Sequence, residues 1–166
     1  MSPKAVVIGP PGSGKTTVGA LLAERLGVAF RDTDHDVEAT AGKPIGEIFI
    51  DDGEEHFRTL ERSAVRDGLA THEGVLALGG GAVLDPGTRA ALGGLPVVYL
   101  EVGLSDAVKR VGLASARPLL VLNPRSQFRK LMEERRPIYE GLASIRVRTD
   151  EREPADIVDE IMTGLG

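Results

Sequence analysis

Gly9-Pro10-Pro11-Gly12-Ser13-Gly14-Lys15-Thr16 is the stretch whose reading decides the fold. It satisfies the pattern G-x-x-x-x-G-K-[ST], in which glycines let backbone N–H groups converge on phosphate oxygens with no Cβ in the way. A helix starting directly after the loop adds its positive end to the same place. In this pattern Lys15 reaches the β- and γ-phosphates, and the Thr16 hydroxyl is placed to ligate Mg²⁺. Both flanks have the required character. Lys4-Ala5-Val6-Val7-Ile8 is short, apolar and β-branched, as a buried parallel strand should be. On the other side Val18, Leu21, Leu22 and Leu26 recur at helical spacing until Gly27, which predicts a C-cap. A glycine-rich turn with a chance lysine would require neither flank. The stretch implies a nucleoside triphosphate site at the end of a buried strand.

Working outward, the rest of the chain bounds what surrounds that loop. A length of 166 residues suits one domain with a substantial core. The absence of cysteine excludes disulfides and thiolate metal sites and fits a reducing interior. A net charge of −5, with 4% aromatic residues and no tryptophan, argues against nucleic acid as a partner. No apolar run approaches the ~20 residues of a membrane span. The N-terminus leads into the first strand without an apolar signal segment, so a cytoplasmic location is expected. No long apolar surface stripe demands a partner, and a monomer is expected.

Strand candidates fall at 4–8, 28–32, 74–78, 96–101 and 144–149, separated by helical patterns. That alternation predicts a five-stranded parallel sheet covered by helices on both faces, a single-domain three-layer α/β/α fold. Ligands in such folds bind beyond the carboxyl ends of the strands. The second candidate strand runs into Asp32-Thr33-Asp34-His35-Asp36. Asp32 and Asp34 could support Mg²⁺ and accept a proton from a hydroxyl nucleophile. They could equally form a helix N-cap cluster. A zinc site using His35 is improbable, because the three histidines are scattered at 35, 56 and 72.

Phe57, Leu60, Ala64, Val65 and Leu69 mark the inner face of a helix that also carries Arg58 and Glu61. The i, i+3 spacing lets Glu61 orient the guanidinium, which could then grip a carboxylate. The plainer alternative is a solvated helical ion pair. Gly79-Gly80-Gly81 follows the third strand, where many phosphate-loop proteins carry an aspartate, so Asp32 is the better candidate for that electrostatic task. The glycines allow backbone amides to approach a ligand, or form a flexible turn. Ser105–Val111 reads as a helix, and 112–124 as a loop whose Arg117 could neutralise transferring phosphate as a lid closes. A long helix from about Ser126 through Arg135-Arg136 precedes Pro137-Ile138-Tyr139, and Asp150 to Pro154 follow the last strand.

Taken together, the phosphate loop, Asp32-Thr33-Asp34, Gly53-Glu54 with Phe57-Arg58 and Glu61, Gly79-Gly80-Gly81, Arg117-Pro118-Leu119-Leu120 and Arg135-Arg136-Pro137-Ile138-Tyr139 make the chain resemble a shikimate kinase over nearly its whole length. The resemblance implies a P-loop fold like that of nucleoside monophosphate kinases. It also implies ATP-dependent phosphorylation of the 3-hydroxyl of shikimate, a step of aromatic amino-acid biosynthesis. By the same resemblance Gly12, Ser13, Gly14, Lys15, Thr16 and Thr17 hold the nucleotide phosphates, with Thr16 and Asp32 supporting Mg²⁺. Asp34 binds the acceptor hydroxyls and is the base. Arg58 and Arg135 clamp the carboxylate, Gly79, Gly80 and Gly81 line the acceptor, and Arg117 stabilises the transferring group. Arg110, Arg152 and Pro154 flank the adenine. The substrate-binding region is expected at about 33–61 and a mobile lid at about 112–124. A gluconate kinase-like enzyme is the nearest rival. A non-catalytic nucleotide switch is a second, although no Asn-Lys-x-Asp guanine motif occurs.

Overall fold

The computed structural model describes residues 2–111 and 124–166, and within the helices flanking the gap it leaves out the side chains of 108–111 and 124–125. Five strands, β1 (Ala5–Ile8), β2 (Phe30–Asp32), β3 (Val75–Ala77), β4 (Val97–Glu101) and β5 (Ile145–Arg148), form one sheet in the order β2-β3-β1-β4-β5. All four pairings are parallel. Each lies within one or two residues of its sequence-predicted span. The largest difference is at β2, where Val28 donates its N–H to the Ala23 carbonyl and so belongs to the end of the preceding helix.

Alternation along β1 explains the three layers. Ala5 and Val7 pack with Val18 and Leu22 of α1 (Lys15–Leu26) and with Ile157, Val158 and Ile161 of α8 (Pro154–Leu165). Val6 and Ile8 face the other way. They pack with Val65 of α4 (Glu54–Thr71), Leu92 at the end of α5 (Pro86–Ala91), and Tyr139 of α7 (Pro124–Leu142). Every residue of β1 is at most 1% exposed, so the strand bearing the phosphate loop is the centre of the core. Each such Val or Ile contributes about 1.5–3 kcal/mol by burial.

Two smaller clusters complete the architecture. Val37 of α2 (Thr33–Ala41), Ile45 and Ile48 of α3 (Ile45–Asp52), and Phe57 and Ala64 of α4 form one. Val102, Ala107 of α6 (Leu104–Val111), Phe128 and Met132 form the other. One expectation needs revision. The helix predicted from Ser126 through Arg136 does not stop at Pro137 but continues to Leu142. Proline lacks the N–H that would bond the Glu133 carbonyl. Ile138, Tyr139 and Leu142 nonetheless pack into the core beyond it, and this burial offsets the missing bond.

Candidate active site

The parallel sheet delivers the ends of β1, β2 and β3 to one edge, where the phosphate loop, Asp32 to Asp34 and Gly79 to Gly81 follow them. After β1, Gly14 is the N-cap of α1 at φ 91°, a conformation open to glycine, and no side chain caps the helix. The first-turn amides of α1 therefore point at the loop as an anion site. The Lys15 ammonium donates to the Gly9 and Pro10 carbonyls at 2.8 and 3.0 Å, which holds it at the mouth of the loop. Gly12 lies in the loop and Ser13 is fully buried beneath it, while Thr16 and Thr17 are exposed in the first turn of α1.

After β2, Asp32 makes two contacts, one with each carboxylate oxygen. Its Oδ1 accepts from the Asp34 N–H at 2.9 Å, capping α2, and its Oδ2 accepts from the Thr16 hydroxyl at 3.0 Å. Burial, reinforced by the neighbouring Asp34 carboxylate, raises the Asp32 pKa above its ordinary value. A half-buried carboxylate beside a threonine hydroxyl and a helix N-terminus supplies the hard oxygen donors that Mg²⁺ takes alongside nucleotide phosphates. The residues present fit that ion. Asp36 is occupied elsewhere, accepting from Arg31 at 2.7 Å.

After β3, the three glycines are spaces that other side chains fill. A Cβ on Gly79 would lie 2.6 Å from Asp34 Oδ1 and 2.9 Å from Glu61 Oε2, so these two carboxylates converge on one point. The Gly79 N–H is itself taken by Thr33 Oγ1 at 3.2 Å. On Gly80 a Cβ would meet Pro11 of the phosphate loop at 2.9 Å, and on Gly81 it would meet the Arg58 nitrogens at 2.5 and 2.7 Å. Arg58 donates to Glu61 Oε1 at 2.8 Å and lies over the Phe57 ring, with its carbon 5.2 Å from the centroid. The Glu61 side chain is 4% exposed and that of Arg58 17%, so this is a buried, oriented pair rather than a solvated one. Arg135 is buried on α7 and Arg136 beside it is exposed.

Lys15, Thr16, Asp32, Asp34, Arg58 and Gly79 to Gly81 are thus linked contact by contact. Arg152 is engaged away from that chain of contacts. It donates to the Arg148 carbonyl at 3.0 Å and to Glu160 at 2.8 Å, and Pro154 opens α8. Arg117 and 112–123 of the predicted lid lie outside the described residues, as does the Arg110 side chain. Two residues stood in the sequence motifs with no role assigned to them: Thr33, which receives the Gly79 amide, and Tyr139, which donates to the Gly80 carbonyl at 2.6 Å. The available signal for Tyr139 was its position four residues after Arg135, on the same helical face.

The chain is similar to known proteins over nearly its whole length. The family model for shikimate kinase matches residues 11–165. The shikimate kinase of Salinispora arenicola is 63% identical over 161 residues, covering 97% of this chain and 96% of the relative. Among solved structures, a shikimate kinase from Acinetobacter baumannii in complex with shikimate superposes with a TM-score of 0.93 at 36% identity, covering 98% of this chain and 92% of that one. A gluconokinase from Sinorhizobium meliloti superposes less well, with a TM-score of 0.60 at 25% identity, covering 99% and 91%.

Proposed function

Because the chain belongs to the shikimate kinase family, we propose a reaction in which the γ-phosphoryl group of ATP passes to the 3-hydroxyl of shikimate, giving ADP and shikimate 3-phosphate. The observation that carries the assignment of roles is the packing of the Gly79–Gly81 turn between Pro11 of the phosphate loop on one side and Asp34, Glu61 and Arg58 on the other. An acceptor held by the second group is presented to phosphates held by the first. Phosphoryl transfer of this kind depends mainly on such positioning and on charge neutralisation.

The α1 amides and Lys15 hold the β- and γ-phosphates. Thr16 and Asp32 hold Mg²⁺, which supplies charge neutralisation at the phosphate oxygens when bound. Asp34 receives the proton from the 3-hydroxyl as its oxygen attacks phosphorus. Arg58, oriented by Glu61, grips the shikimate carboxylate together with Arg135. Arg117 stabilises the transferring group from a lid over 112–124, and Arg110, Arg152 and Pro154 flank the adenine. The acceptor-binding region at about 33–61 spans α2, α3 and the first turns of α4. Among the described residues no helix is long and apolar enough to cross a membrane. We expect a cytoplasmic monomer acting on a small molecule, without a nucleic-acid partner.

The test is ADP release from Mg-ATP with and without shikimate, alongside gluconate and a nucleoside monophosphate. Shikimate-dependent ADP with a product one phosphate heavier is expected. Stimulation by gluconate alone would transfer the assignment to the rival enzyme. ATP binding with no acceptor-dependent turnover would favour the switch.

A further inference from the structure

Tyr139 is 1% exposed, its ring stacks on Tyr99 at 5.1 Å between centroids and 28° between planes, and its hydroxyl donates to the Gly80 carbonyl at 2.6 Å. The residues it joins are not arbitrary. On its own helix Phe128, Met132, Arg135 and Tyr139 are the buried positions of one face, so Arg135 sits one turn before the hydroxyl. On the other side Gly80 precedes Gly81, where a Cβ would run into the Arg58 guanidinium. The two arginines lie on different helices and far apart in sequence. Tyr139 is where the helix bearing one is bonded to the turn that abuts the other.

Pro137 sharpens the point. It falls between Arg135 and Tyr139 and removes one helical hydrogen bond, yet the helix persists through it to Leu142. The turn beyond the proline is anchored by tertiary contacts of Tyr139, and that anchorage fixes how far along its axis Arg135 is presented.

We propose that the Tyr139 hydroxyl is a positioning group that keeps Arg58 and Arg135 in register for the substrate carboxylate. The inference rests on the reading of those arginines as the carboxylate clamp. Tyr139 touches no reacting atom. Its contribution is to the affinity for the carboxylate-bearing acceptor and not to nucleotide binding or to the transfer step.

The experiment compares Tyr139→Phe with Arg58→Ala, Arg135→Ala and the unaltered enzyme, using shikimate and its uncharged methyl ester as acceptors. Phenylalanine keeps the ring against Tyr99 and removes only the hydroxyl. The expected result is an increase of about five- to tenfold in KM for shikimate, the scale of one buried hydrogen bond. The KM for ATP and kcat stay within about twofold, and the increase vanishes with the ester. Incorporation of p-aminophenylalanine at 139, which restores an N–H donor, should restore KM, and it keeps the test open if the phenylalanine variant accumulates poorly. An unchanged KM for shikimate, or equal rises for both substrates and for the ester, overturns the inference and returns Tyr139 to an ordinary core role. If Arg58→Ala and Arg135→Ala also leave KM unchanged, the clamp reading itself fails, and the two failures are told apart by that control.

Discussion

Gly81→Ala should separate the function of Arg58 from the stability of the fold. Gly81 adopts φ −98° and ψ 0°, a region open to alanine, so the backbone is not strained by the change. The added methyl would lie 2.5 and 2.7 Å from the Arg58 terminal nitrogens and 2.8 Å from the carbon between them. Ordinary contact needs ~3.5 Å or more, so the guanidinium has to retreat by about 1 Å. Its bond to Glu61, now 2.8 Å, then lengthens beyond the hydrogen-bonding range. The guanidinium is the free end of a flexible side chain, and Glu54 already lies 3.5 Å away on its more exposed side. The arginine should swing toward Glu54 rather than break the helix. The expected stability loss is therefore about 1–2 kcal/mol, or roughly 2–8 °C in Tm for a domain of this size. The functional loss is larger, because a misplacement of ~1 Å at a positioning group costs up to about a hundredfold. Steady-state kinetics should show kcat/KM for shikimate down about ten- to a hundredfold, with the KM for ATP unchanged. Wild-type kcat/KM for shikimate in a folded Gly81→Ala enzyme would refute the reasoning, as would losses on both substrates that track a collapse in Tm.

Three further outcomes follow from the same geometry. Asp34→Asn should lower kcat by about 10²–10⁴-fold while nucleotide affinity, read by calorimetry, stays close to normal, since the change removes a proton acceptor and no phosphate contact. Asp32→Asn keeps a competent N-cap for α2. Its Tm should move little, while the Mg²⁺ concentration giving half-maximal turnover rises; an unchanged Mg²⁺ dependence would remove Asp32 from the metal site. Burial raises the Tyr99 pKa above its ordinary value, followed by the effect of Glu101. The unfolded chain thus loses that proton first, so the tyrosine's stabilising contribution, complete below about pH 10, is lost as pH rises through the higher folded value. Urea midpoints measured from pH 8 to 11 should fall less steeply for Tyr99→Phe than for the unaltered protein, and identical slopes would contradict the assignment.

The features legible in the sequence are those whose physics is local. The phosphate loop declares itself because loop, strand and helix are contiguous, and the Arg58–Glu61 pair because i, i+3 neighbours on a helix must meet. Burial decided what local spacing left open. Glu61 could have been solvated, and its placement against Gly79, in the turn after β3, removes it from water. Asp32 could have been a cap or a metal support, and the structure shows it capping α2 with one oxygen and meeting the Thr16 hydroxyl with the other. What the chain did not reveal spans long separations. Thr33 meets Gly79 and Tyr139 meets Gly80 across 46 and 59 residues, and no periodicity encodes such a contact. Pro137 misled for a related reason, since the local cost of proline in a helix is legible and the burial that offsets it is not.

The strand order has a consequence for how such an enzyme can be altered. With β1 central, the chain from β2 through the turn after β3 lies on one flank of the phosphate loop, and the chain from β4 onward lies on the other. The acceptor side of the proposed site is therefore an almost continuous cassette from β2 through the turn after β3, exchangeable in principle without altering the phosphate loop. The bond from Tyr139 crosses from the second flank to the first, as does the core cluster that joins Tyr139 to Val65, Ala82 and Val83. A chimaera taking only the cassette from a relative would inherit Arg58 and not Tyr139, whose hydroxyl is proposed to keep that arginine in register with Arg135. Recombination between such enzymes should thus succeed or fail on whether α7 travels with the cassette.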